Sequence, residues 1–240
     1  MIRDRGEDVS PNAAAGAGGV SPGRATSLTV HPEAQAAVER LWGSIFFSPE
    51  RTAPKSILVT SAEPGEGATE VAVALALTGT SSQQSMRVAL VDCNVYKPML
   101  AELFGIRSSP GTLDVLAGEA SLEDSVVPAA NERLGLLPWG EPGEAATSLL
   151  RSERIAAMLR ELAERYDHVI IDAPPVNRHA AVQALAGLTD GVVLVTKAGI
   201  TRRESVAEAK KRIELAQGKI IGVVLNQREF PIPRFLYDRL

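Results

Sequence analysis

Short, continuous runs of apolar residues recur along the chain from residue 55 onward, and stretches with helical periodicity lie between them. The runs are KSILVT, RVALVD, LGLLPW, HVIID, GVVLVT and IIGVVLN. Four of them are unbroken segments rich in Val, Ile and Leu, as expected for strands that are covered on both faces. The pattern therefore predicts six strands, most of them buried between helices.

Two of the intervening segments carry clear helix boundaries. SERIAAMLRELAERY has a predicted N-cap at Ser152 and places its apolar residues on one helical face. TRRESVAEAKKRIELAQG is predicted to begin with a capping box of Thr201 and Glu204 and to end at Gly218. Alternating strands and helices predict a doubly wound α/β domain with a mostly parallel sheet. In such sheets, ligands bind beyond the carboxyl ends of the strands.

The two ends of the chain differ from this regular part. Residues 1–30 are rich in Ala, Gly, Ser and Pro without periodicity, which predicts a flexible tail. Residues 31–50 contain an amphipathic helix, which packs either on its own domain or against another subunit. The domain is expected to span residues 31–228. Residues 229–240 form a C-terminal extension with one tyrosine, Tyr237, instead of a tyrosine cluster.

Composition narrows the class of protein. A net charge of −4 without a block of lysine and arginine argues against a nucleic-acid-binding surface. The single cysteine, Cys93, excludes an internal disulfide and fits a reducing cytoplasm. No apolar run approaches the roughly 20 residues of a membrane span, and the N-terminus does not resemble a signal peptide. We therefore expect a cytoplasmic protein that reaches the inner membrane only through a partner.

SAEPGEGATE, residues 61–70, has the form of a phosphate-binding loop between a strand and a helix. Gly65 and Gly67, which flank Glu66, permit the tight turn that points backbone N–H groups at phosphate. The hydroxyl of Thr69 is a predicted Mg²⁺ ligand. However, Ala68 occupies the position at which such loops carry lysine, and Glu70 follows two residues later.

Three further strands end in an acidic or amide residue. Asp92 ends VALVD and is followed by Asn94, for which a simple Asp-x-Asn turn is the structural alternative. Asp172 ends HVIID, where we expect a carboxylate near Mg²⁺, and a turn cap is again the alternative. Asn226 ends the last strand and could read an adenine edge. We expect all four strand ends to form one site, because parallel strands share a carboxyl edge.

Together with SLLRSERIAAMLRELAERYDHVIIDAPP and TDGVVLVTKAGITRRE, these motifs resemble the bacterial tyrosine kinases of the CpsD, CapB and Wzc type. These kinases are P-loop relatives of the MinD/ParA ATPases, and the resemblance covers residues 33 to 228. It implies a P-loop NTPase-like fold, MgATP or MgADP as cofactor, and Asp92 and Asp172 as catalytic aspartates. It further implies Thr69, Asp92 and Asp172 as Mg²⁺ ligands, and residues 65–70 with Asn226 as the nucleotide site.

The chain departs from this family at the reactive positions. Ala68 replaces the loop lysine, Asn94 the second aspartate of the Walker A′ motif, and Tyr96 an arginine. Glu63 takes the place of the MinD-type signature lysine, and Glu70 puts negative charge where phosphate would bind. A lysine about 4 Å from phosphate is worth up to ~4 kcal/mol before desolvation, and ~1.4 kcal/mol is tenfold in affinity. The loss of the loop lysine therefore predicts weak MgATP or MgADP binding at most.

These departures predict a degenerate kinase-like protein in which Asp92 and Asp172 are vestigial. Its predicted role is that of a regulator or adaptor in bacterial exopolysaccharide or capsule assembly. The expected partner is the cytoplasmic region of a membrane polysaccharide co-polymerase or a homologous kinase. The sequence does not decide whether the protein forms a homo-oligomer. The first alternative is a weakly active tyrosine autokinase or ATPase, because Thr69 and Asn226 remain and Lys97 offers a cation. The second is a MinD/ParA-like positioning ATPase, which the PGEG loop and the C-terminal sequence disfavour.

Overall fold

The computed structural model describes residues 2–4, 28–30, 32–49, 52–81, 83–129, 131–141, 148, 150 and 153–227. The strands are β1 (Ile2–Asp4), β2 (Leu28–Val30), β3 (Ser56–Ser61), β4 (Val88–Asp92), β5 (Val127–Pro128), β6 (Leu134–Leu137), β7 (His168–Asp172), β8 (Gly191–Lys197) and β9 (Ile220–Asn226). The helices are α1 (Pro32–Phe46), α2 (Ala68–Gly79), α3 (Leu100–Phe104), α4 (Thr112–Ala117), α5 (Leu122–Ser125), α6 (Glu153–Arg165), α7 (Ala181–Leu188) and α8 (Arg203–Leu215). Among the helices of these residues, none combines the length and apolar character needed to cross a membrane.

Seven strands form one sheet in the order β5-β6-β4-β7-β3-β8-β9. Every neighbouring pair is parallel except β5–β6, which is antiparallel. Helices α1 and α2 contribute to the core on one face of the sheet, and α6, α7 and α8 contribute to the core on the other. The inner strands are mostly apolar and are buried on both faces, and their polar residues lie at or near the strand ends. The predicted doubly wound α/β fold is confirmed.

Three short strands escape prediction, whereas all six predicted strands are present. β5 is two residues long and pairs with β6, so it has no periodicity of its own. β1 and β2 pair antiparallel and lie within the stretch for which the sequence predicts a flexible tail. The rest of that stretch, residues 5–27, lies outside the described residues.

The predicted capping box of α8 is wrong. The Thr201 hydroxyl accepts the Lys197 N–H at 2.8 Å and donates to the Glu66 carboxylate, so it does not cap the helix. The N-cap residue is Arg202, without a side-chain cap. The predicted cap of α6, Ser152, lies outside the described residues. Thr201 therefore links the start of α8 to the loop after β3 through its hydrogen bond to Glu66.

The end of α8 also differs from the prediction by one residue. Gln217, with φ of 63°, takes the left-handed conformation that the sequence assigns to Gly218. The Gly218 N–H then closes the helix by donating to the Ile213 carbonyl at 2.9 Å. A Cβ on Gly218 would lie 2.8 Å from the Cβ of Ala186, so the glycine is needed for close helix packing instead.

Helix α1 packs on its own domain through its apolar side, which is the first of the two alternatives that the sequence left open, and a contact with another subunit stays a prediction. Trp42 is fully buried, and its ring lies 4.1 Å from the ring of Phe46 and edge-on to His168 at 5.6 Å. Gly79 of α2 leaves room for the indole, because a Cβ there would lie 2.1 Å from the Trp42 ring. The helix is thus part of the hydrophobic core.

Strand β9 is the exception to the prediction of strands covered on both faces. It lies at the edge of the sheet, and its side chains are partly buried or exposed. Val223 and Leu225 are each 58% exposed, although the sequence IIGVVLN is as apolar as that of the inner strands. The apolar character of β9 is therefore not explained by the contacts of the described residues.

Candidate functional site

The loop between β3 and α2 has the backbone conformation that its glycines predict. Gly65 and Gly67 have φ values of 79° and 88°, in the left-handed region that favours glycine. A Cβ on Gly67 would lie 2.2 Å from the amide nitrogen of Asn226. A side chain at this position would therefore displace Asn226 from the loop.

Side chains of the protein itself hold this loop. The Glu66 carboxylate is 3% exposed, accepts the Glu63 N–H at 2.9 Å and accepts the Thr201 hydroxyl. The Asn226 amide donates to the Glu66 carbonyl at 3.0 Å. Glu66 and Asn226, which the sequence assigns to nucleotide, thus support the loop, and their contacts with nucleotide stay predictions.

A second connection joins the loop to the segment after β7. The Glu63 carboxylate, 28% exposed, accepts from Arg178 Nε at 2.9 Å and from the Asn177 amide at 3.3 Å. Burial raises the pKa of Glu63, but the hydrogen bonds from Asn177 and Arg178 outweigh it and lower the pKa overall. At the position of the MinD-type lysine, this chain therefore forms an internal ion pair.

The start of α2 carries the charge change that the sequence predicts. Ala68 is the first residue of the helix, and Glu70 lies in its first turn. The Glu70 Oε2 atom lies 3.4 Å from the position that a Cβ on Gly67 would take, so the carboxylate reaches back to the loop. A carboxylate here complements the positive end of the helix dipole. A bound phosphate would meet like charge instead of a lysine.

The two strand-end aspartates lie side by side, as predicted. Asp92 of β4 and Asp172 of β7 are register partners in neighbouring strands, and both are fully buried. The Thr69 hydroxyl donates to Asp172 Oδ2 at 2.7 Å, whereas Asp172 Oδ1 accepts no hydrogen bond from any described residue. Magnesium takes oxygen ligands. Thr69 and Asp172 therefore fit a magnesium ion.

Asp92 is occupied by the backbone of the following loop. Its Oδ1 accepts the Asn94 N–H at 2.9 Å, and its Oδ2 accepts the N–H groups of Met99 and Leu100 at 3.0 and 3.2 Å. The first of these bonds is the Asp-x-Asn turn that the sequence gave as the structural alternative. Asp92 thus has a structural role, and its role beside Mg²⁺ stays a prediction.

Burial changes the protonation of this pair. It raises the pKa of Asp92 to about 6, although three backbone N–H groups act in the opposite direction. Burial and the neighbouring Asp92 charge raise the pKa of Asp172 well above its usual range. Burial and both aspartates also raise the pKa of the Cys93 thiol, so this cysteine is not an activated nucleophile.

The raised pKa values predict that the protein becomes less stable as pH rises. Unfolded carboxyls ionise near pH ~4, whereas Asp92 ionises at about pH 6 when folded. The folded chain holds more protons between these values, so the free energy of unfolding should fall across this range. Asp172→Asn should reduce that fall, since it removes the Asp172 carboxyl, whose own pKa is raised in the folded protein. Urea titrations at several pH values measure this difference.

The matched control for this prediction is Glu208→Gln, because Glu208 is an exposed carboxylate on α8 that pairs with Arg212. This variant should keep the native pH dependence. A native stability that increased across the same range would contradict the prediction, as would an Asp172→Asn variant with the native dependence.

The loop opens into a cleft of about 520 Å³ at the carboxyl edge of the sheet. Besides the loop, the cleft is lined by Asn94, Lys97, the prolines after β7 and a stacked pair of rings. Tyr96 and His179 form this stack, with centroids 3.6 Å apart and an interplanar angle of 23°. The sequence identifies Tyr96 as a departure from the family pattern and Lys97 as a positive charge near the site. No pattern in it indicates that His179 stacks on Tyr96.

The residues present fit one half of a magnesium–nucleotide complex. Thr69 and Asp172 would hold the metal, which in P-loop NTPases neutralises the charge of the phosphates. The phosphate half does not fit, because Ala68 supplies no charge and the Glu70 carboxylate lies at the loop. Among the described residues, no cluster of three or more His, Cys, Asp or Glu side chains could hold a metal without such phosphates. We therefore derive no reaction step at this site.

Comparison with known proteins agrees with the resemblance in the sequence. The ParA family model, described as an NUBPL iron-transfer P-loop NTPase, matches residues 52–235. Tyrosine-protein kinase YwqD of Bacillus subtilis is 33% identical over 175 residues, which is 73% of this chain and 73% of YwqD. The solved kinase domain of VpsO has a TM-score of 0.74 at 33% identity, over 82% of this chain and 96% of that domain.

A second solved structure gives the same result. The chimeric protein CapA2B2 has a TM-score of 0.75 at 28% identity, covering 80% of this chain and 84% of the chimera. The family model covers more than half of the chain, and YwqD is matched over more than two thirds of its own length. The chain therefore belongs to the ParA-type P-loop NTPases and, within them, to the bacterial tyrosine kinase family.

Proposed function

We propose that this protein is a catalytically silent member of its family that acts as an adaptor or regulator in bacterial exopolysaccharide or capsule assembly. The pathway is proposed from its relatives, which include proteins named CapB and CpsD. In this role the protein works in the cytoplasm and contacts the cytoplasmic region of a membrane polysaccharide co-polymerase or a homologous kinase. Its interaction with that partner does not depend on nucleotide.

One observation carries this proposal, namely the reversed charge of the phosphate loop. The position of the loop lysine is Ala68, and the Glu70 carboxylate lies beside Gly67 where phosphate would bind. Loss of the lysine alone removes up to ~4 kcal/mol of attraction before desolvation, or up to about three orders of magnitude in affinity. The Glu70 charge adds repulsion to that loss.

A second candidate function is a weak ATPase or tyrosine autokinase of the same pathway. The contact between Thr69 and Asp172 favours it, together with the buried Asp172 Oδ1 atom that accepts no bond from a described residue. Lys97 lines the cleft and is exposed, so it offers a cation. A MinD/ParA-like positioning ATPase has less support, because Glu63 replaces the signature lysine and pairs with Arg178.

Calorimetric titration of the native protein with MgATP and with MgADP tests the proposal. We expect no saturable binding below about 100 μM nucleotide, since the site lacks roughly 3 kcal/mol or more of attraction. Binding at micromolar concentration would contradict the silent state. A partner complex that formed only with ATP present would contradict nucleotide-independent docking.

Labelling with radioactive ATP distinguishes the second candidate. The native protein should incorporate no more phosphate than Asp92→Asn, a variant that keeps an oxygen to accept the N–H groups around Asp92. Incorporation that the variant abolishes would establish a kinase and overturn the proposal. Tyr237, the single tyrosine of the C-terminal extension, is the first position to examine by mass spectrometry.

A further inference from the structure

A groove lies between α8 and the edge strand β9. Its walls are Val206 and Lys210 of α8 with Val223 and Leu225 of β9, and we call it the edge groove. It consists of two adjoining cavities of about 420 and 580 Å³, which share Val206 and Lys210. Val223 and Leu225 face it with 58% of their surface exposed.

The edge groove leaves apolar surface of β9 in contact with water. Complete burial of a valine or leucine side chain is worth about 1.5–3 kcal/mol relative to full exposure. Two neighbouring side chains that are each more than half exposed therefore favour a covering partner. Lys210 lines both cavities, and its ammonium group pairs with Glu214 at 3.6 Å.

The chain itself turns at the end of this groove. Gln227, the first residue after β9, has φ of 53°, a left-handed conformation that ends the extended direction of the strand. Its N–H donates to Asn226 Oδ1 at 2.9 Å, which fixes the turn. The chain therefore bends at Gln227, next to the end of β9.

The segment that follows is rich in large apolar residues. Residues 228–240, REFPIPRFLYDRL, lie outside the described part of the chain. Six of these thirteen residues are large and apolar, namely Phe230, Ile232, Phe235, Leu236, Tyr237 and Leu240. Such a sequence is too apolar for a solvated tail. It matches the exposed apolar wall of the edge groove.

Its length is also sufficient. The seven residues of β9 span about 23 Å, and ten extended residues span about 33 Å. The segment can therefore turn at Gln227 and return along the whole groove. Pro231 and Pro233 have no N–H to donate, so backbone hydrogen bonds with the edge of β9 are confined to the other residues, and side chains supply the rest of the contact.

We propose that residues 228–240 occupy the edge groove of the same chain, with Phe235, Leu236 and Tyr237 covering Val223 and Leu225. Direct attachment at Gln227 gives this segment a millimolar effective concentration at the groove, which no free partner matches. Tyr237 then packs against the sheet edge and is not available to the cleft of another subunit. This inference does not depend on whether the cleft binds nucleotide.

Hydrogen exchange of the full-length protein provides the first test. Amides of residues 234–238 should exchange at least about tenfold more slowly than in a synthetic peptide of residues 228–240. The protection should be equal at about 5 and 200 μM protein, because the contact lies within one chain. Exchange at the rate of the free peptide would overturn the proposal. Protection that increased with concentration would assign the groove to a second copy and would also overturn it.

Variants of the groove provide the second test. Leu225→Asp should return the segment to the exchange rate of the free peptide and speed tryptic cleavage after Arg234 about tenfold or more. The matched control is Leu215→Asp, because Leu215 is 74% exposed at the far end of α8 and outside the edge groove. This control should behave like the native protein. Phe235→Ser changes the segment without touching β9 and should repeat the effect of Leu225→Asp.

The variants also define the contrary results. Native protection in both Leu225→Asp and Phe235→Ser would show that the segment lies elsewhere. Equal loss of protection in Leu215→Asp would show that the effect is a general loss of stability of α8. Either result would overturn the assignment of residues 228–240 to the edge groove.

Discussion

Replacing Ala68 by lysine together with Glu70 by threonine should give the protein an affinity for MgATP at least about 100-fold higher than its native affinity. The lysine restores an attraction of up to ~4 kcal/mol to the phosphates before desolvation. The threonine removes the carboxylate that lies next to Gly67. The rest of the loop already has the required backbone, since Gly65 and Gly67 take left-handed conformations. Calorimetric titration measures the change.

A control for total charge is available in the chain. Ala68→Lys with Glu119→Thr makes the same change in composition but removes an exposed carboxylate outside the cleft. We expect this pair to bind MgATP more weakly than the loop variant, because Glu70 remains at the loop. A folded Ala68→Lys, Glu70→Thr protein without measurable binding would contradict the prediction. It would place the decisive loss at Asn94 or Tyr96.

The largest effect on stability should come from Trp42→Ala in α1. The indole is fully buried against Phe46, His168 and the Gly79 backbone, so its removal leaves a cavity that these groups cannot fill. Truncations of this kind cost about 3–5 kcal/mol. The midpoint of urea unfolding should therefore move to a lower urea concentration. The dependence of the free energy of unfolding on urea concentration should stay unchanged.

Phe47→Ala is the matched control for that experiment. Phe47 follows α1 directly and is 53% exposed, so its truncation should change the free energy of unfolding by about 0.5 kcal/mol or less. If Trp42→Ala and Phe47→Ala had similar small effects, α1 would not be part of the core. The helix would then have to be assigned to contacts with another subunit.

The sequence was sufficient to predict the sheet and the meeting of two of its strand ends. Strands β3, β4, β7 and β8 are long apolar runs between helices, and such runs specify buried parallel strands. Their shared carboxyl edge then brings Asp92 and Asp172 together, as the structure shows. β5, with two residues, escaped prediction because only its pairing with β6 defines it.

The side-chain partners within the site could not be predicted in the same way. Thr201 has the sequence pattern of a helix cap but instead donates to Glu66, 135 residues earlier in the chain. Likewise, the stack of Tyr96 on His179 joins two loops whose relative position depends on the whole sheet. Local patterns contain no information on contacts of this range, because irregular loops have no period that fixes side-chain direction.

The internal support of the phosphate loop has a consequence for control of the protein. Glu66 binds the Glu63 backbone and Thr201, while Glu63 pairs with Arg178, so three segments are joined without any ligand. In nucleotide-driven switches, hydrolysis releases such contacts and thereby sets how long a complex lasts. If the loop binds no nucleotide, as proposed, its internal contacts provide no such timing. Under the proposed function, the cell would regulate this protein through its amount and the supply of its partner.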